Sequence, residues 1–383
     1  MSDEQPPEPD RVEGAPHPRE TVHLYGQDAA QAAFLEAFNT DRLHHGWLIS
    51  GPRGVGKATL AWHIARFLLA TPDAGDGGMF GDALPAPDTL AISPDHPVWA
   101  RTLAMSEPGL HLLRRGGAGS TESDRHKNAQ EGKFSAQIRV DEIRDMAKFI
   151  HLSSVDASRR VVIVDAADEM NIQAANALLK MLEEPPERTT LLLISHQPAR
   201  LLPTIRSRCR DLRLAPLSPA DLTAALQQAG VNDPPSDALA ELAAGSVGAA
   251  LRLTHLNGLA LYAEITGILG SLPMLDRPRA LKLADHVAAR GASEKLDLLL
   301  SLTDVALARL ARTGATGQPP QTEAAQGEAE TFRRLSPDPH KARKWARLAQ
   351  EISAKAQHGR AVNLDPAALV LDMVFNMQST AAR

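Results

Sequence analysis

The sequence predicts an α/β domain with a parallel sheet over roughly the first 215 residues, followed by regions that are entirely helical. In the first part, short aliphatic runs bounded by charged or turn-forming residues alternate with segments whose apolar residues recur at helical spacing. From Ser218 onward the strand pattern disappears. A chain of 383 residues is also too long for one ordinary core, so two or three domains are expected.

The elements of the α/β domain are expected within residues 22–216, after an acidic, Pro-rich tail, 1–21, that is expected to be disordered. The expected strands are short apolar runs: HGWLIS, LHLLR, RRVVIVD, TTLLLISH and RDLRLAPL. The expected helices include DAAQAAFLEAFNTDRL, Leu60 to Leu68, Pro97 to Met105, QIRVDEIRDMAKFIHLSS, NIQAANALLKMLEEPP and a short one in PARLLPTIRSRC. Residues 71–135, rich in Gly, Pro and polar residues, predict an irregular insertion that is mobile from Gly116 to Lys133.

Only helices are predicted after residue 216. SPADLTAALQQAG places Ser218 as an N-cap, Pro219 at the first helical position and Gly230 just past the end. Two more short helices follow, and the rest of the chain is helical apart from one low-complexity stretch, TGATGQPPQTEAAQGEAE. The predicted boundaries are those of a three-helix unit, a helical domain and a flexible linker inside that domain: 217–258, 259–383 and 313–330.

Composition narrows the class of protein. With 43% hydrophobic and 23% charged residues, the chain is typical of a soluble globular protein. A net charge of −5 and 4% aromatic residues argue against a protein that binds DNA strongly by itself. The one cysteine, Cys209, excludes a disulfide framework and a four-cysteine zinc site within the chain. Apolar runs are too short for a membrane span and the N-terminus is unlike a secretory signal, so we expect a cytoplasmic protein without membrane contacts.

The stretch GPRGVGKATLA is close to a nucleotide-binding P-loop. Such a loop cradles phosphates with backbone amides and a lysine, and this one follows an expected strand and opens an expected helix. Ala58 stands where the Ser or Thr that binds magnesium is expected, and Thr59 lies about 100° further around the helix, which makes it a poor substitute. The candidate nucleotide-binding residues of the loop are Gly51, Gly54, Gly56, Lys57 and Thr59.

Two polar residues stand at the ends of expected central strands. Asp165 ends VVIVD, in the position of an acid that orients the magnesium shell, and Ser195 ends LLLIS, where its hydroxyl could sense a γ-phosphate. Because parallel strands end at the same edge of a sheet, both residues are expected beside the Gly-rich loop. His96, His111 and His126 lack metal-ligand spacing, so no zinc site is expected.

The segment from AADEMNIQAANALLKMLEEPP through LLPTIRSRCRDLRLAPL resembles the clamp-loader branch of the AAA+ ATPases, in particular alphaproteobacterial members from DNA polymerase III. The elements NALLKMLEEPP, LLPTIRSRC and GSVGAALRL carry this resemblance, and the later NLDPAAL agrees with it. It covers nearly the whole chain from about residue 24. The resemblance implies a P-loop AAA+ domain, a three-helix lid and an all-helical collar domain that joins subunits into a ring.

Compared with this family pattern, three positions lack the side chain that catalysis needs. Ala58 lacks the magnesium-binding hydroxyl, Ala166 replaces the glutamate that polarises water, and Gly248 replaces the sensor arginine of the lid. Asp168 and Glu169 follow closely and are expected to cap the next helix. The pattern predicts loss of hydrolysis. It leaves two readings of the loop open, ATP or ADP bound without turnover, or a loop kept for packing.

The resemblance gives Arg208, in the Ser-Arg-Cys motif, the role of an arginine finger that acts in trans on the ATP of a neighbouring subunit. The alternative is a loop arginine paired with a nearby carboxylate such as Asp211. Cys209 beside it is expected to be a small packed residue and not a nucleophile.

The resemblance therefore implies a non-hydrolysing scaffold subunit of the clamp loader, part of the DNA polymerase III holoenzyme, with no cofactor required. Its expected partners are the gamma/tau ATPase subunits and the delta subunit and, within the complex, the sliding clamp and primer-template DNA. The alternative is an active AAA+ ATPase subunit of the same or a related replication or repair complex. A stand-alone DNA-binding protein is a third possibility, which the charge disfavours.

Overall fold

The computed structural model describes residues 7–12, 15–71, 86–151, 159–289, 293–362 and 364–382. The chain divides into two compact units. The first comprises Met1–Asn232 with Gly245–Gly248, and the second comprises Asp233–Ala244 with Ala249–Arg383. The expected three-helix unit, 217–258, spans this division.

A five-stranded parallel sheet forms the centre of the first unit. Its strands are β1 (Gly46–Ser50), β2 (Leu110–Arg114), β3 (Arg160–Asp165), β4 (Thr189–Ser195) and β5 (Arg210–Arg213), in the spatial order β2-β3-β4-β1-β5. All five lie within the runs predicted from the sequence. The three central strands are buried along almost their whole length, which explains why they read as continuous aliphatic runs.

Helices cover this sheet and complete the core of the first unit. They are α1 (Asp28–Asn39), α2 (Lys57–Ala70), α3 (Pro97–Leu103), α4 (Glu122–Gln130), α5 (Val140–His151), α6 (Ile172–Glu183), α7 (Pro203–Arg206) and α8 (Pro219–Gln228). One face of α5 and one of α6 pack with strand residues into a cluster that includes Ile143, Met146, Ile150, Val162, Leu178, Leu182 and Leu193. At α8, Ser218 caps the helix by accepting from the amide of Asp221, as predicted.

The second unit is built from helices alone in the part that the structure describes. They are α9 (Asp237–Ala243), α10 (Val247–His255, whose first two residues belong to the first unit), α11 (Gly258–Ser271), α12 (Arg277–Ala288), α13 (Ser293–Thr316), α14 (Glu328–Leu335), α15 (Pro339–Ala361) and α16 (Pro366–Ala382). Within it, α13 packs along α15, and α12 packs against α16. None of the helices in the described ranges has the length and apolar character that crossing a bilayer needs.

The interval without regular structure is shorter than the linker predicted for residues 313–330. Because α13 continues to Thr316 and α14 begins at Glu328, only the residues between these two helices are outside regular structure. Glu328 is fully buried, and its carboxylate accepts from Tyr262 Oη at 2.6 Å, from Arg309 Nε at 2.8 Å and from the Ala324 amide at 2.7 Å. This carboxylate ties the end of the interval to α11 and α13.

The N-terminal segment differs from the disordered tail expected for residues 1–21. In its described residues, Glu8 and Asp10 pair with Arg114 at the end of β2, at 3.0 and 2.5 Å. His17 is fully buried and lies 3.2 Å from Asp10, and Arg19 pairs with Glu8 at 2.6 Å. The composition of the segment suggested disorder because its charged residues have no partners nearby in the sequence. Their partners are brought to them by the fold.

The insertion also contains more structure than its composition indicated. Residues 72–85 lie outside the described ranges, but α4 occupies half of the stretch Gly116–Lys133 that was expected to be mobile. Arg139 donates to the carbonyl oxygens of Gly117 at 2.8 Å and Gly119 at 3.1 Å, and pairs with Glu142 at 3.0 Å. One arginine thus cross-links a polar segment that has no buried apolar face of its own in α4.

Candidate nucleotide site and arginine loop

The structure brings the predicted nucleotide-site residues to one edge of the sheet. The Gly-rich loop connects the end of β1 to the start of α2, and Ser50 of β1 is in register with Ser195 of β4. Asp165 ends β3, the next strand, as the sequence predicted. The loop needs its glycines, because three of them have positive φ angles of 146°, 73° and 96°: Gly51, Gly54 and Gly56.

Lys57 is folded back onto the loop. Its Nζ donates to the carbonyl oxygen of Gly51 at 2.8 Å and to that of Pro52, and the residue is only 3% exposed. Burial lowers the pKa of Lys57 to about 8, in spite of the opposing charges of Asp165 and Asp168. The ammonium group is therefore engaged by the loop's own carbonyl oxygens.

Asp165 is in an environment that disfavours its charged form. Burial is the main cause, and the negative charges of Asp10 and Glu169 add to it, so that the pKa of Asp165 rises to about 7. A magnesium ligand must be ionised, so the raised pKa makes Asp165 a weaker magnesium ligand than an ordinary aspartate near neutral pH. The N-terminal segment contributes to this effect through Asp10.

A short segment at the start of α10, residues 246–248, lies directly on the Gly-rich loop. Ser246 Oγ donates to the carbonyl oxygen of Arg53 at 2.9 Å, and the Gly248 amide donates to that of Gly54 at 3.3 Å. A Cβ atom at Gly54 would lie 2.8 Å from the Gly248 nitrogen and closer still to Ser246 Oγ. A Cβ atom at Gly248 would approach Gly54 Cα to 3.1 Å. Gly248, where the sequence resemblance implied a sensor arginine, is thus in close backbone contact with Gly54.

The two other positions compared with the family pattern lie inside the first unit. Ala166 is buried, and Thr59, on α2, is 8% exposed. The expectation that Asp168 and Glu169 cap α6 is wrong, because Asn171 is the N-cap and accepts from the Ala174 amide at 2.8 Å.

The two acids lie in a short 3₁₀ turn and have other partners. Asp168 accepts from the His196 amide at 3.0 Å, and Glu169 pairs with Arg115 at 2.9 Å and Arg53 at 3.3 Å. Ser195 is fully buried, and its Oγ has no hydrogen-bond partner among the described residues. Both acids therefore bind side chains or backbone of the loops around the site.

Arg208 lies on the loop between α7 and β5, and its side chain is 37% exposed. Its Nη1 donates to the Thr204 carbonyl oxygen at 3.1 Å and to Ser207 Oγ at 3.4 Å. The carboxylate that pairs with it is Glu183, at the end of α6, with Nη2 and Oε1 3.0 Å apart. Asp211, the partner considered from the sequence, instead accepts from Ser50 Oγ at 2.8 Å.

The arginine loop is tightly packed against the start of β1. A Cβ atom at Gly46 would lie 2.9 Å from Leu182 Cδ2, 3.2 Å from the Arg208 carbonyl oxygen and 3.4 Å from Cys209 Sγ. The thiol of Cys209 is partly buried and packs against the core, and burial together with the charge of Asp211 raises its pKa to about 12. A thiol held neutral is not a nucleophile, which agrees with its expected packing role.

One group in the described chain has the composition of a metal site. Glu8, Asp10 and His17 place ligand atoms within 4.8 Å of one another. Arg114 pairs with both carboxylates, and Arg19 pairs with Glu8. Although burial opposes ionisation, the hydrogen bond to His17 and the charge of Arg114 lower the pKa of Asp10 to about 2. The cluster is an ion-pair network in which arginines neutralise the acids.

The sequence did not single out Glu183 or Ser246. Ser246 lies within the GSVGAALRL element, in which the family resemblance assigned a role only to position 248. Glu183 lies within LEEPP, and nothing in its spacing from Arg208 indicates that the fold brings the two together. Both contacts depend on tertiary structure.

A parallel sheet with a P-loop after β1, an acid at the end of β3 and a polar residue at the end of β4 defines a P-loop protein of the AAA+ class. A model of the family described as DNA polymerase III, delta subunit, matches residues 26–218, which is half of the chain. The chain belongs to this family, and the clamp-loader resemblance of its sequence is confirmed.

Named relatives agree with this assignment. The chain is similar to DNA polymerase III subunit delta′ of Pseudomonas aeruginosa, with 37% identity over 214 residues, 56% of each chain. It is 28% identical to subunit delta′ of Bacillus subtilis, over 50% of this chain and 49% of that one. It is also 28% identical to subunit gamma/tau of Mycobacterium tuberculosis, over 73% of this chain and 46% of that one. The chain spans about half the length of these relatives.

Solved structures are more distant. A gamma subunit-related protein of Thermotoga maritima is 16% identical with a TM-score of 0.35, covering 91% of this chain and 99% of that one. The RuvB Holliday junction branch migration motor of the same organism is 17% identical with a TM-score of 0.34, covering 76% of each chain.

Proposed function

We propose that this protein is a non-hydrolysing scaffold subunit of the polymerase III clamp loader, and that Arg208 acts in trans on ATP held by a neighbouring subunit. The observation that carries the proposal is the contrast between two sites of the first unit. The chain's own Gly-rich loop is covered by Ser246 and Gly248, whereas Arg208 is exposed on a packed loop. A cation presented in this way can stabilise charge that develops on a phosphate.

Loss of hydrolysis is supported by the loop itself. Lys57 donates to carbonyl oxygens of its own loop, Asp165 has a raised pKa, and Ala166 has no group that could act as a base. The protein would then need no cofactor, and the Gly-rich loop would serve as a packing surface for the segment 246–248. ATP or ADP held by the remaining amides without hydrolysis is the alternative, and it would require this segment to move.

The partners follow from the same proposal. Arg208 would face a gamma/tau-type ATPase subunit, and the helical second unit would form a collar with the other subunits, including the delta subunit. The assembled complex would open the sliding clamp and place it on primer-template DNA during chromosomal replication in the cytoplasm. The reaction would belong to the complex, and this chain alone would hydrolyse no ATP.

The test is reconstitution of the complex with Arg208→Ala and measurement of its DNA-stimulated ATPase rate. We expect the rate to fall at least tenfold, since arginine fingers typically contribute several orders of magnitude. Arg206→Ala is a matched control, because Arg206 is exposed two residues earlier on α7. It should leave the rate within about twofold of wild type, as expected for a surface change away from such a site.

Two outcomes would overturn the proposal. An unchanged ATPase rate for Arg208→Ala, with assembly intact by size-exclusion chromatography, would exclude the trans role. Magnesium-dependent ATP hydrolysis by the purified chain alone would favour an active ATPase subunit instead, and Lys57→Ala should then abolish that activity.

A further inference from the structure

We propose that Glu183 is a positioning residue that holds the guanidinium of Arg208 in the orientation used toward the neighbour's phosphate. The inference rests on the proposed trans role of Arg208. It concerns a contact that the fold creates between two motifs, LEEPP and the Ser-Arg-Cys loop, which are 25 residues apart in the chain (208 − 183).

Three N–H groups of the Arg208 guanidinium already have acceptors. Nη1 donates to the Thr204 carbonyl oxygen and to Ser207 Oγ, and Nη2 lies 3.0 Å from Glu183 Oε1. An arginine has five N–H donors in a planar fork, so these contacts leave donors of Nη2 and Nε for a further acceptor. A phosphate can therefore be bound without first breaking the contacts that orient the group.

Both partners stand on a rigid support. Glu183 is the last residue of α6, and the preceding Leu182 is buried, with its carbonyl oxygen 3.0 Å from His45 Nε2. Gly46 is packed closely against both Leu182 and the Arg208 backbone, with 2.9 Å and 3.2 Å between a Cβ atom there and Leu182 Cδ2 and the Arg208 carbonyl oxygen. The end of α6, the start of β1 and the arginine loop are thus packed as one body, and the ion pair joins two fixed points of it.

The contribution of the Glu183–Arg208 ion pair is limited because both side chains are partly exposed to solvent. The side chains of Glu183 and Arg208 are 43% and 37% exposed, so the pair is screened by solvent and contributes little to folding. Its contribution is orientation, because a long side chain that is already ordered loses less freedom when it engages a transition state. An exposed pair of this kind corresponds to roughly a two- to fivefold effect on rate.

The experiment compares complexes that contain Glu183→Gln, Glu184→Gln, Arg208→Ala or the Glu183→Gln/Arg208→Ala pair. Glu184 is the matched control, since it is an exposed glutamate one residue further along. For Glu183→Gln we expect kcat of the DNA-stimulated ATPase to fall about two- to fivefold with KM for ATP unchanged, because orientation acts on the transition state. In the Arg208→Ala background the same change should have no further effect.

Each other outcome overturns one of the two proposals. An unchanged or increased kcat for Glu183→Gln, an equal loss for Glu184→Gln, or an additional loss in the Arg208→Ala background would exclude the positioning role. An unchanged rate for Arg208→Ala would instead exclude the trans role itself, whatever Glu183→Gln does. The two failures are therefore distinguishable in one set of measurements.

Discussion

The amide of Gly248 donates a hydrogen bond to the carbonyl oxygen of Gly54, with nitrogen and oxygen 3.3 Å apart. In this chain the loop that resembles a phosphate cradle thus bonds to protein backbone. The contact favours a glycine on each side, because a Cβ atom at residue 54 would lie 2.8 Å from the Gly248 nitrogen and one at residue 248 would lie 3.1 Å from Gly54 Cα. The position that lacks the family's arginine therefore has a structural role of its own.

The first prediction concerns this close contact. Gly54→Ala should destabilise the first unit by about 3 kcal/mol, because the alanine adopts a left-handed conformation at φ 73° and also displaces Ser246 and Gly248. Gly230→Ala is the control, since Gly230 has φ 90° but nothing within 4 Å of a Cβ atom. It should lose only the backbone term, about 1 kcal/mol.

Urea unfolding followed by tryptophan fluorescence measures both variants. Three of the four tryptophans lie in the first unit, so the signal reports mainly on it: Trp47, Trp62 and Trp99. Equal losses for Gly54→Ala and Gly230→Ala would mean that the segment 246–248 does not remain on the loop in solution.

The elements that could be predicted from the sequence are those whose formation depends on residues close together in the chain. Aliphatic runs such as Val161–Val164 gave the central strands, and Ser218 with Pro219 gave the start of α8, because strand burial and helix capping depend on neighbours in the chain. The Gly-rich loop and Asp165 were placed correctly, since the loop directly follows β1 and Asp165 is the last residue of β3.

The features that could not be predicted depend on distant partners. Glu8 and Asp10 are held by Arg114, more than 100 residues away, so their local composition still suggests disorder. Glu183 meets Arg208 only because α6 and α7 pack together. The polar helix α4 has no apolar stripe, and the segment around it is held by hydrogen bonds from Arg139, which periodicity cannot reveal.

The second prediction concerns pH. The folded-state pKa of Asp165 is raised from 3.8 to about 7, so its contribution to stability is fully present below pH 3.8 and is lost as the pH rises to about 7. Across this window the group lowers the free energy of unfolding by up to about 1.4 kcal/mol per pH unit. Asp165→Asn removes the titration and keeps the shape, so its unfolding free energy should fall less between pH 4 and 7.

The measurement is the difference between the wild-type and Asp165→Asn unfolding free energies at a series of pH values. Asp88→Asn, which removes an exposed carboxylate, serves as the control and should track wild type. A difference that does not change with pH would show that Asp165 has the same pKa in the folded and the unfolded protein, contrary to its raised pKa in the folded state.

The third prediction concerns the insertion. Arg139→Ala should open the segment 116–135, because two backbone carbonyl oxygens and Glu142 lose their partner. Hydrogen bonds to charged groups contribute about 2 kcal/mol, which corresponds to amide exchange about 30-fold faster. Hydrogen–deuterium exchange of peptides from this segment measures the effect. Arg144→Ala is the control, since its side chain is 68% exposed and pairs only with Asp141 in the described chain; equal exchange in both variants would contradict the cross-linking role.

The fourth prediction concerns the buried carboxylate of the second unit. Glu328→Ala should destabilise this unit by about 3–5 kcal/mol, because Arg309 is left with a buried charge that has lost its main partner, and Tyr262 Oη also loses its acceptor. Glu328→Gln keeps one acceptor oxygen, which can serve Tyr262 Oη and Arg309 Nε together because both donate to Oε1, but it removes the acceptor of the Ala324 amide. It should therefore lose less stability than Glu328→Ala. Glu330→Ala, two residues on and exposed, should change stability by under about 0.5 kcal/mol.

Thermal unfolding, together with exchange of peptides from α13 and α14, separates these cases. If Glu328→Ala were as stable as Glu330→Ala, the interval before α14 would not be anchored by this carboxylate, and the linker expected from composition would describe it better. If Glu328→Ala is destabilised and Glu328→Gln is nearly as stable as wild type, the stabilisation comes more from hydrogen bonding by the side chain than from its charge.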